Sequence, residues 1–369
     1  MTRNLPPLVG GMEKLLHNLA IGIAQYSDLT VVGPYGCSKH LPKNIKTIEA
    51  PKSLAPFLLI STWRAIRELR KGRCDLLIGG SGLIALTLYI LNKLFRNRTL
   101  IYLHGLDLVV DNWIYQTIFM RCIRSMDTVV VNSQNTKNLA LSRRVKEEKI
   151  TIIHPGTVIP STPDQTTLNS LKRKYDISFE HIMIFVGRFT RRKGLSTFIE
   201  RCLPQILSEM SSTGLIVVGN PPGDSLNRMG EEGKVAESVS ANAYHQQIIF
   251  LGQVTEEEFT HCYALADVQI FPLVHVEGDV EGFGMVAIEA AALGTPTVAF
   301  DVGGVADAVS SKNGLLVAPS NYEQFSSSVV EVLREKKPDR HSCIEHAKSF
   351  NWDIVNDQFQ KTVLDTASG

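Results

Sequence analysis

Short apolar runs that end in polar or glycine-containing turns recur along this chain. Each is followed by a stretch in which apolar residues return every three or four positions. The first series comprises Leu29–Gly33, Asp75–Gly79, Leu100–His104 and Thr128–Asn132, with helical spacing typified by Leu15, Leu16, Leu19, Ala20 and Ile23. A second series comprises Ile182–Gly187, Gly214–Gly219, Ile248–Leu251, Val268–Phe271, Thr297–Phe300 and Gly314–Val317. Strands alternating with helices predict parallel sheets covered on both faces. The expected fold is α/β, with two Rossmann-like domains and a cleft between the carboxyl ends of their strands. Pro155–Pro163, without apolar periodicity, is the expected linker between residues 1–160 and 161–351. The start departs from this plan: Met1-Thr2-Arg3 runs almost at once into Pro6-Pro7 and Gly10-Gly11. Either the first strand is a stub, or the natural chain begins upstream with an apolar run.

Composition narrows the class. At 369 residues, 44% of them hydrophobic and 20% charged, the chain is globular and of about two domains, not disordered or fibrous. The uncharged stretch Leu76–Asn92 is broken by Gly79-Gly80-Ser81-Gly82, so it predicts strand, turn and helix and not a membrane span. Six scattered cysteines without a C-x-x-C pair predict reduced thiols, a cytoplasmic setting and no structural zinc. Charge is unevenly spread: residues 1–160 carry 21 Lys+Arg against 10 Asp+Glu (+11), and the rest 17 against 27 (−10). Opposite signs allow simple attraction between lobes, or a basic lobe that faces an anionic membrane or acceptor.

Three motifs bear on chemistry. Gly80-Ser81-Gly82-Leu83-Ile84-Ala85 has the G-x-G-x-x-A form of a dinucleotide fingerprint, but it follows a later strand and lacks the acidic residue expected downstream. Small residues there serve as well to pack a helix on a sheet. The stretch Glu281–Glu289 is stronger, with two carboxylates flanking a Gly-x-Gly turn that opens the apolar helix Met285–Leu293. Such a turn lets backbone N–H groups approach an anion closely. The third is Val186-Gly187-Arg188 at a strand end, followed by Arg191-Arg192-Lys193-Gly194, a cationic cluster suited to a diphosphate. A phosphate flanked by hydroxyl-rich groups is what a nucleotide-sugar offers.

With these residues in view the chain resembles the family 4 glycosyltransferases, a retaining group with the two-lobed GT-B fold. The matching segments are Gly10–Glu13, His104–Asp107, Phe185–Leu195, Val217–Asn220, Phe250–Val254, Glu281–Ala299, Gly303–Val309 and Asn313–Val317. They span nearly the whole chain but thin out over residues 35–100, and the start departs from the family pattern. The resemblance implies that Arg188 and Lys193 hold the donor diphosphate, Glu281 the sugar hydroxyls and Glu289 the ribose. It implies that the backbone around Gly187, Gly284, Met285 and Val286 meets the phosphate, with Gly10 and Gly11 closing over it. His104 would stand near the reacting sugar on the acceptor side. The final segment 352–369, with Ile354, Val355, Phe359 and Val363, would return to the first lobe, which would take the acceptor while the second held the donor.

The expected reaction is retaining transfer of a sugar from a UDP- or GDP-sugar to a lipid-linked or polysaccharide acceptor in cell-envelope assembly. Two alternatives share the fold: a sugar-nucleotide 2-epimerase and a non-catalytic nucleotide-sugar-binding partner. With no D-x-D sequence, no cofactor and no obligatory metal are expected; nucleic acid is not an expected partner. A helix entered near Pro56 places Leu59, Thr62, Trp63, Ile66 and Leu69 on one expected face, with Arg64, Arg67, Arg70, Lys71 and Arg73 around it. That composition suits peripheral docking on the inner face of a membrane, or a plain helix with its apolar face on the sheet.

Overall fold

The computed structural model describes residues 1–72, 74–219, 230–242 and 244–368. Arg73, Asn220 and Gly369 lie outside the described residues. Twelve strands form among the described residues: β1 Thr30–Pro34, β2 Lys46–Ala50, β3 Leu76–Gly79, β4 Arg98–Leu103, β5 Thr128–Val131, β6 Ile150–Ile152, β7 His181–Val186, β8 Thr213–Val218, β9 Ile248–Gly252, β10 Val268–Phe271, β11 Thr297–Phe300 and β12 Gly314–Val317. Their pairings are parallel. Two of these strands, β2 and β6, have no counterpart in the periodicity. Both are short and at most partly buried over most of their length, so no continuous apolar run marks them.

The chain divides into two compact units, Met1–Gly156 with Trp352–Gly369, and Thr157–Asn351. In the second unit the sheet order is β12-β11-β10-β7-β8-β9. Side chains alternate across it, as a pleated strand requires. Met183 and Phe185 enter one core with Phe198 and Phe325, while Ile182 and Ile184 enter another with Leu171 and Tyr263. The strand order reverses between β7 and β10, because β8 and β9 are added on one side and β11 and β12 on the other. Ligands of doubly wound sheets bind beyond the carboxyl ends of the strands at such a reversal.

The first unit has two sets of strands, β1-β2 and β3-β4-β5-β6. The backbone at the start of the chain lies between them. The Thr2 N–H donates to the Val32 carbonyl at 3.0 Å, and the Gly80 N–H donates to the Met1 carbonyl at 2.9 Å. The Met1 amino group donates to the Ile78 carbonyl at 2.7 Å. Met1 and Thr2 thus pair backbone groups of Val32 in β1, Ile78 in β3 and Gly80 just after it. Behind the sheet, the helix Gly11–Ile23 and the helix Trp352–Ser368 share a core through Leu15, Leu19, Val355, Phe359 and Val363.

The helix Leu54–Leu69 corrects the expected face. Its fully buried stripe is Phe57, Ser61 and Ala65, with Ile66 and Leu69 packed beside it and Thr62 hydrogen-bonded to Thr87. Leu59 and Trp63 are exposed. They stand two residues from Phe57 and Ser61 in sequence, which is about 200° around a helix, so they cannot share its inward face.

Candidate active site

The turn after β7 owes its shape to Gly194. Its φ of +68° lies in the left-handed region, and a side chain there would run into the Pro272 carbonyl oxygen. The preceding turn Arg191–Lys193 is held by the Lys193 N–H on the Thr190 carbonyl at 2.9 Å, and by the Val274 N–H on the Arg192 carbonyl at 2.9 Å. This aims Lys193 across the end of β10, with Nζ 4.6 Å from the centre of the Phe271 ring. Arg188, one residue beyond Gly187, is exposed and has no ion pair among the described residues.

The second strand-end loop carries the counter-charges. Lys193 Nζ lies 2.8 Å from Glu281 Oε2, and Arg192 Nε lies 3.0 Å from Asp279 Oδ1 while its Nη1 also pairs with Glu281. The four side chains are only 11–14% exposed. Burial alone would raise the Glu281 carboxyl, but the charges of Arg192 and Lys193 outweigh it and hold the group down at about 2. Burial pushes Lys193 below the usual lysine range, against the pull of Glu281. The cluster is a desolvated charge network, two cations against two carboxylates.

Gly284, at φ +95°, opens the helix Met285–Ala292. Ala287 N–H returns to the Gly284 carbonyl at 2.9 Å. The Met285 and Val286 amides are first-turn donors, which helix geometry leaves without an intrahelical acceptor. The Gly304 N–H donates to the Glu281 carbonyl at 2.9 Å, tying the loop after β11 to the same spot. Glu289 is half-buried one turn into the helix. Its charge, after burial itself, helps push the Tyr263 hydroxyl upward, and that hydroxyl donates to the Val286 carbonyl at 3.2 Å.

Gly187, Arg188, Lys193, Glu281, Gly284, Met285, Val286 and Glu289 therefore all belong to the loops and helix beyond β7 and β10. Lys193 and Glu281 are in direct contact. Gly10, Gly11 and His104 belong to the first unit. Gly10 precedes the helix that Gly11 opens. The His104 ring is buried, stacks on Tyr102 at 5.0 Å between centroids, and meets the Gly80 carbonyl at 2.7 Å through Nε2. A carbonyl only accepts, so Nε2 carries the proton there and Nδ1 is the ring nitrogen left for a ligand. Asp107 accepts from the Gly82 and His104 N–H groups, each at 3.0 Å.

Sequence reasoning passed over Asp279, named Asp107 only as the end of the His104–Asp107 segment, and named Arg192 only as part of a basic run. The acidic run before Gly282 is the one local signal for Asp279. Nothing local marks Asp107 as the residue that ties the Gly80–Gly82 loop to His104. Replacing Asp107 by Ala should leave two part-buried donors without an acceptor and lower stability by about 1–3 kcal/mol. Asp107→Asn should recover part of this in thermal unfolding, since its amide oxygen still accepts.

Residues 9–159 match the family described as Glycosyltransferase Family 4, and residues 180–335 match Glycosyl transferases group 1. The chain is 25% identical over 357 residues to the GDP-mannose-dependent alpha-(1-6)-phosphatidylinositol monomannoside mannosyltransferase of Mycolicibacterium smegmatis, covering 91% of this chain and 89% of that protein. It is 27% identical over 237 residues to the D-inositol 3-phosphate glycosyltransferase of Mycobacteroides abscessus; the match covers 63% of this chain and spans about half, 50%, of that relative. Among solved structures, Anabaena HepE in complex with UDP is similar with a TM-score of 0.80 at 17% identity, over 99% of this chain and 98% of that one. Sucrose-phosphate synthase from Thermosynechococcus elongatus gives 0.78 at 22% identity, over 96% and 93% of the two chains.

Proposed function

This chain belongs to the family 4 glycosyltransferases, with two Rossmann-like units of the GT-B fold, and from that premise we propose that it transfers a sugar, with retention, from a nucleoside-diphosphate sugar. The observation that carries the reading is the convergence of Lys193, Glu281 and the Gly284 helix start at the strand-order reversal of the second unit. As the bond between the sugar and the diphosphate breaks, negative charge collects on the diphosphate and positive charge on the sugar ring. Preorganised cations and backbone N–H groups stabilise the first without reorganising. Lys193 and the Met285 and Val286 amides supply them, Arg188 joins once the donor orders it, and Glu281 and Glu289 take hydroxyls of the sugar and the ribose. With this charge in place, and no D-x-D sequence in the chain, the reading needs no divalent metal. Gly187 leaves room for the phosphates beside Lys193. In the first unit Gly10 and Gly11 are the small residues at a helix start, and His104 accepts from a hydroxyl through Nδ1.

The donor class is a UDP- or GDP-sugar: one relative is named as GDP-mannose-dependent, and a solved neighbour holds UDP. The first unit would take a lipid-linked or glycan acceptor at the cytoplasmic face of a membrane. Lipid acceptors fit two observations: a relative is named for a phosphatidylinositol glycan, and residues 1–160 are strongly basic. A screen of UDP- and GDP-sugars, scoring nucleoside diphosphate release with and without lipid-linked acceptors, tests the reading. Release that depends on acceptor is expected. Donor converted without acceptor would replace transfer by epimerisation, and binding without turnover would leave a binding protein.

A further inference from the structure

Three helical segments cover one face of the first unit's sheet. They are Leu54–Leu69, Ala85–Phe95 and the stretch from the π-helical turn Tyr115–Phe119 into Met120–Ser125. Phe57, Leu88, Tyr115 and Ile123 from these segments meet in one core with Leu77, Ile101 and Val129 of the strands. Their outward sides therefore form a single layer. That layer is unusually apolar: Trp113 is 77% exposed, Leu59 74%, Leu94 60% and Trp63 54%, with Ile114 and Ile118 also exposed. Exposed apolar groups gathered on one layer beside polar residues have the composition of an interaction surface.

Trp113 is not displayed by a loose loop. Asn112 Oδ1 accepts the Tyr115 N–H at 3.0 Å, Gln116 N–H returns to the Asn112 carbonyl at 2.9 Å, and the Gln116 side chain donates to the Val110 carbonyl at 2.7 Å. The charge on the layer is one-sided. Residues 54–71, 85–96 and 106–125 carry eight Lys+Arg against three Asp+Glu, and Arg67, Arg70, Lys93 and Arg121 are exposed. Arg67 lies over the Trp63 ring at 4.8 Å. Tryptophan beside exposed cations is the chemistry of a bilayer interface, where the ring takes the headgroup level and the cations take anionic lipid.

We infer that this face docks on an anionic bilayer, through Trp113, Ile114, Ile118, Leu59 and Trp63 inserted among headgroups, with Arg67, Lys93 and Arg121 on lipid phosphates. The inference rests on the lipid-linked acceptor proposed above for its purpose. The chain links it to that site, since Trp113 lies in sequence between Asp107, which accepts from the His104 N–H, and the buried Tyr115, whose hydroxyl stands at Gly82 beside Asp107. A docked surface would thus lie next to the loop that holds His104.

The three tryptophans of the chain make the test direct. Two, Trp63 and Trp113, lie on this face, and Trp352 is buried in the core. Intrinsic emission of the unmodified protein should shift to the blue with phosphatidylcholine vesicles containing phosphatidylglycerol, and revert with added salt. Phosphatidylcholine alone should leave it unshifted. In cosedimentation, Arg67→Glu with Arg121→Glu should lower vesicle binding on the order of 20-fold or more, given about fivefold per basic residue removed. Trp63→Ser with Trp113→Ser should lower it on the order of tenfold. An unshifted emission, equal binding to neutral vesicles, or variants that bind like the parent would each overturn the inference. So would a dimer that the Trp63→Ser, Trp113→Ser protein no longer forms, without any vesicle binding, for the face would then join two copies. The rise in melting temperature with UDP or GDP, measured in parallel without vesicles, tests the donor reading alone. Its absence would sink that reading and leave the docking result standing.

Discussion

Lys193→Ala and Arg188→Ala are each expected to lower turnover on the order of 10²-fold or more, as when an electrostatic donor to the leaving group is removed. The argument is strongest for Lys193. Its ammonium is fixed by the Phe271 ring on one side and Glu281 on the other, so it is already oriented before a donor arrives. Burial magnifies its field, because few waters are left to screen it. Charge on the departing diphosphate is greatest in the transition state, so the loss should fall mainly on kcat, with a smaller change in KM. Arginine at position 193 should not restore the rate, since a planar fork does not fit the space of a compact ammonium. Arg188 is exposed and must be ordered by the donor, so its removal should raise KM as well as lower kcat. Turnover like the parent's in both alanine variants would remove the donor site from these loops.

Glu281→Ala is expected to damage the fold of the second unit as well as the reaction. Arg192 keeps Asp279 at 3.0 Å, but Lys193 loses its carboxylate and stays largely buried. Breaking one partner of a buried pair costs about 3–5 kcal/mol, because the remaining charge is uncompensated. The same residue makes the unit acid-sensitive. The Glu281 carboxyl titrates near 4.5 when unfolded and at about 2 in the folded protein. Its contribution to stability is therefore fully present above about 4.5 and is lost as pH falls toward about 2. The difference corresponds to about 3 kcal/mol. Urea unfolding between neutral pH and pH 3 should show the larger part of this loss, about 2 kcal/mol, in the parent and a shallower one in Glu281→Ala. Equal slopes in the two proteins would mean that Glu281 is not held down by Arg192 and Lys193.

Ten of the twelve strands among the described residues were legible as apolar runs, because a buried parallel strand must be apolar on both faces over several consecutive residues. The spacing of Glu281 and Glu289 was legible for a similar reason, since both belong to one turn-and-helix segment whose geometry is local. The failures were of another kind. The helix Leu54–Leu69 is apolar on more than one side, so periodicity could not say which side the sheet covers; only its contacts with Leu77 and Ile101 in the same core decided that Phe57 turns inward and Trp63 outward.

What the sequence determined by itself is thus what neighbouring residues enforce: the strand-turn-helix alternation, the Gly-x-Gly turn that opens the helix at Met285, and a cationic run of a kind suited to a diphosphate. Tertiary structure alone decided which charges meet. Lys193 and Glu281 are 88 residues apart, as are no two groups that a helix or a turn could bring together. They touch because β7 and β10, distant in sequence, are neighbours where the strand order reverses. Tertiary structure alone also seated Met1 and Thr2 between β1 and β3, since the demand for their hydrogen bonds comes from strands that follow much later in the chain. Local sterics act over a few residues, whereas burial of charge and pairing of backbone groups are settled by whatever the fold brings within about 3 Å.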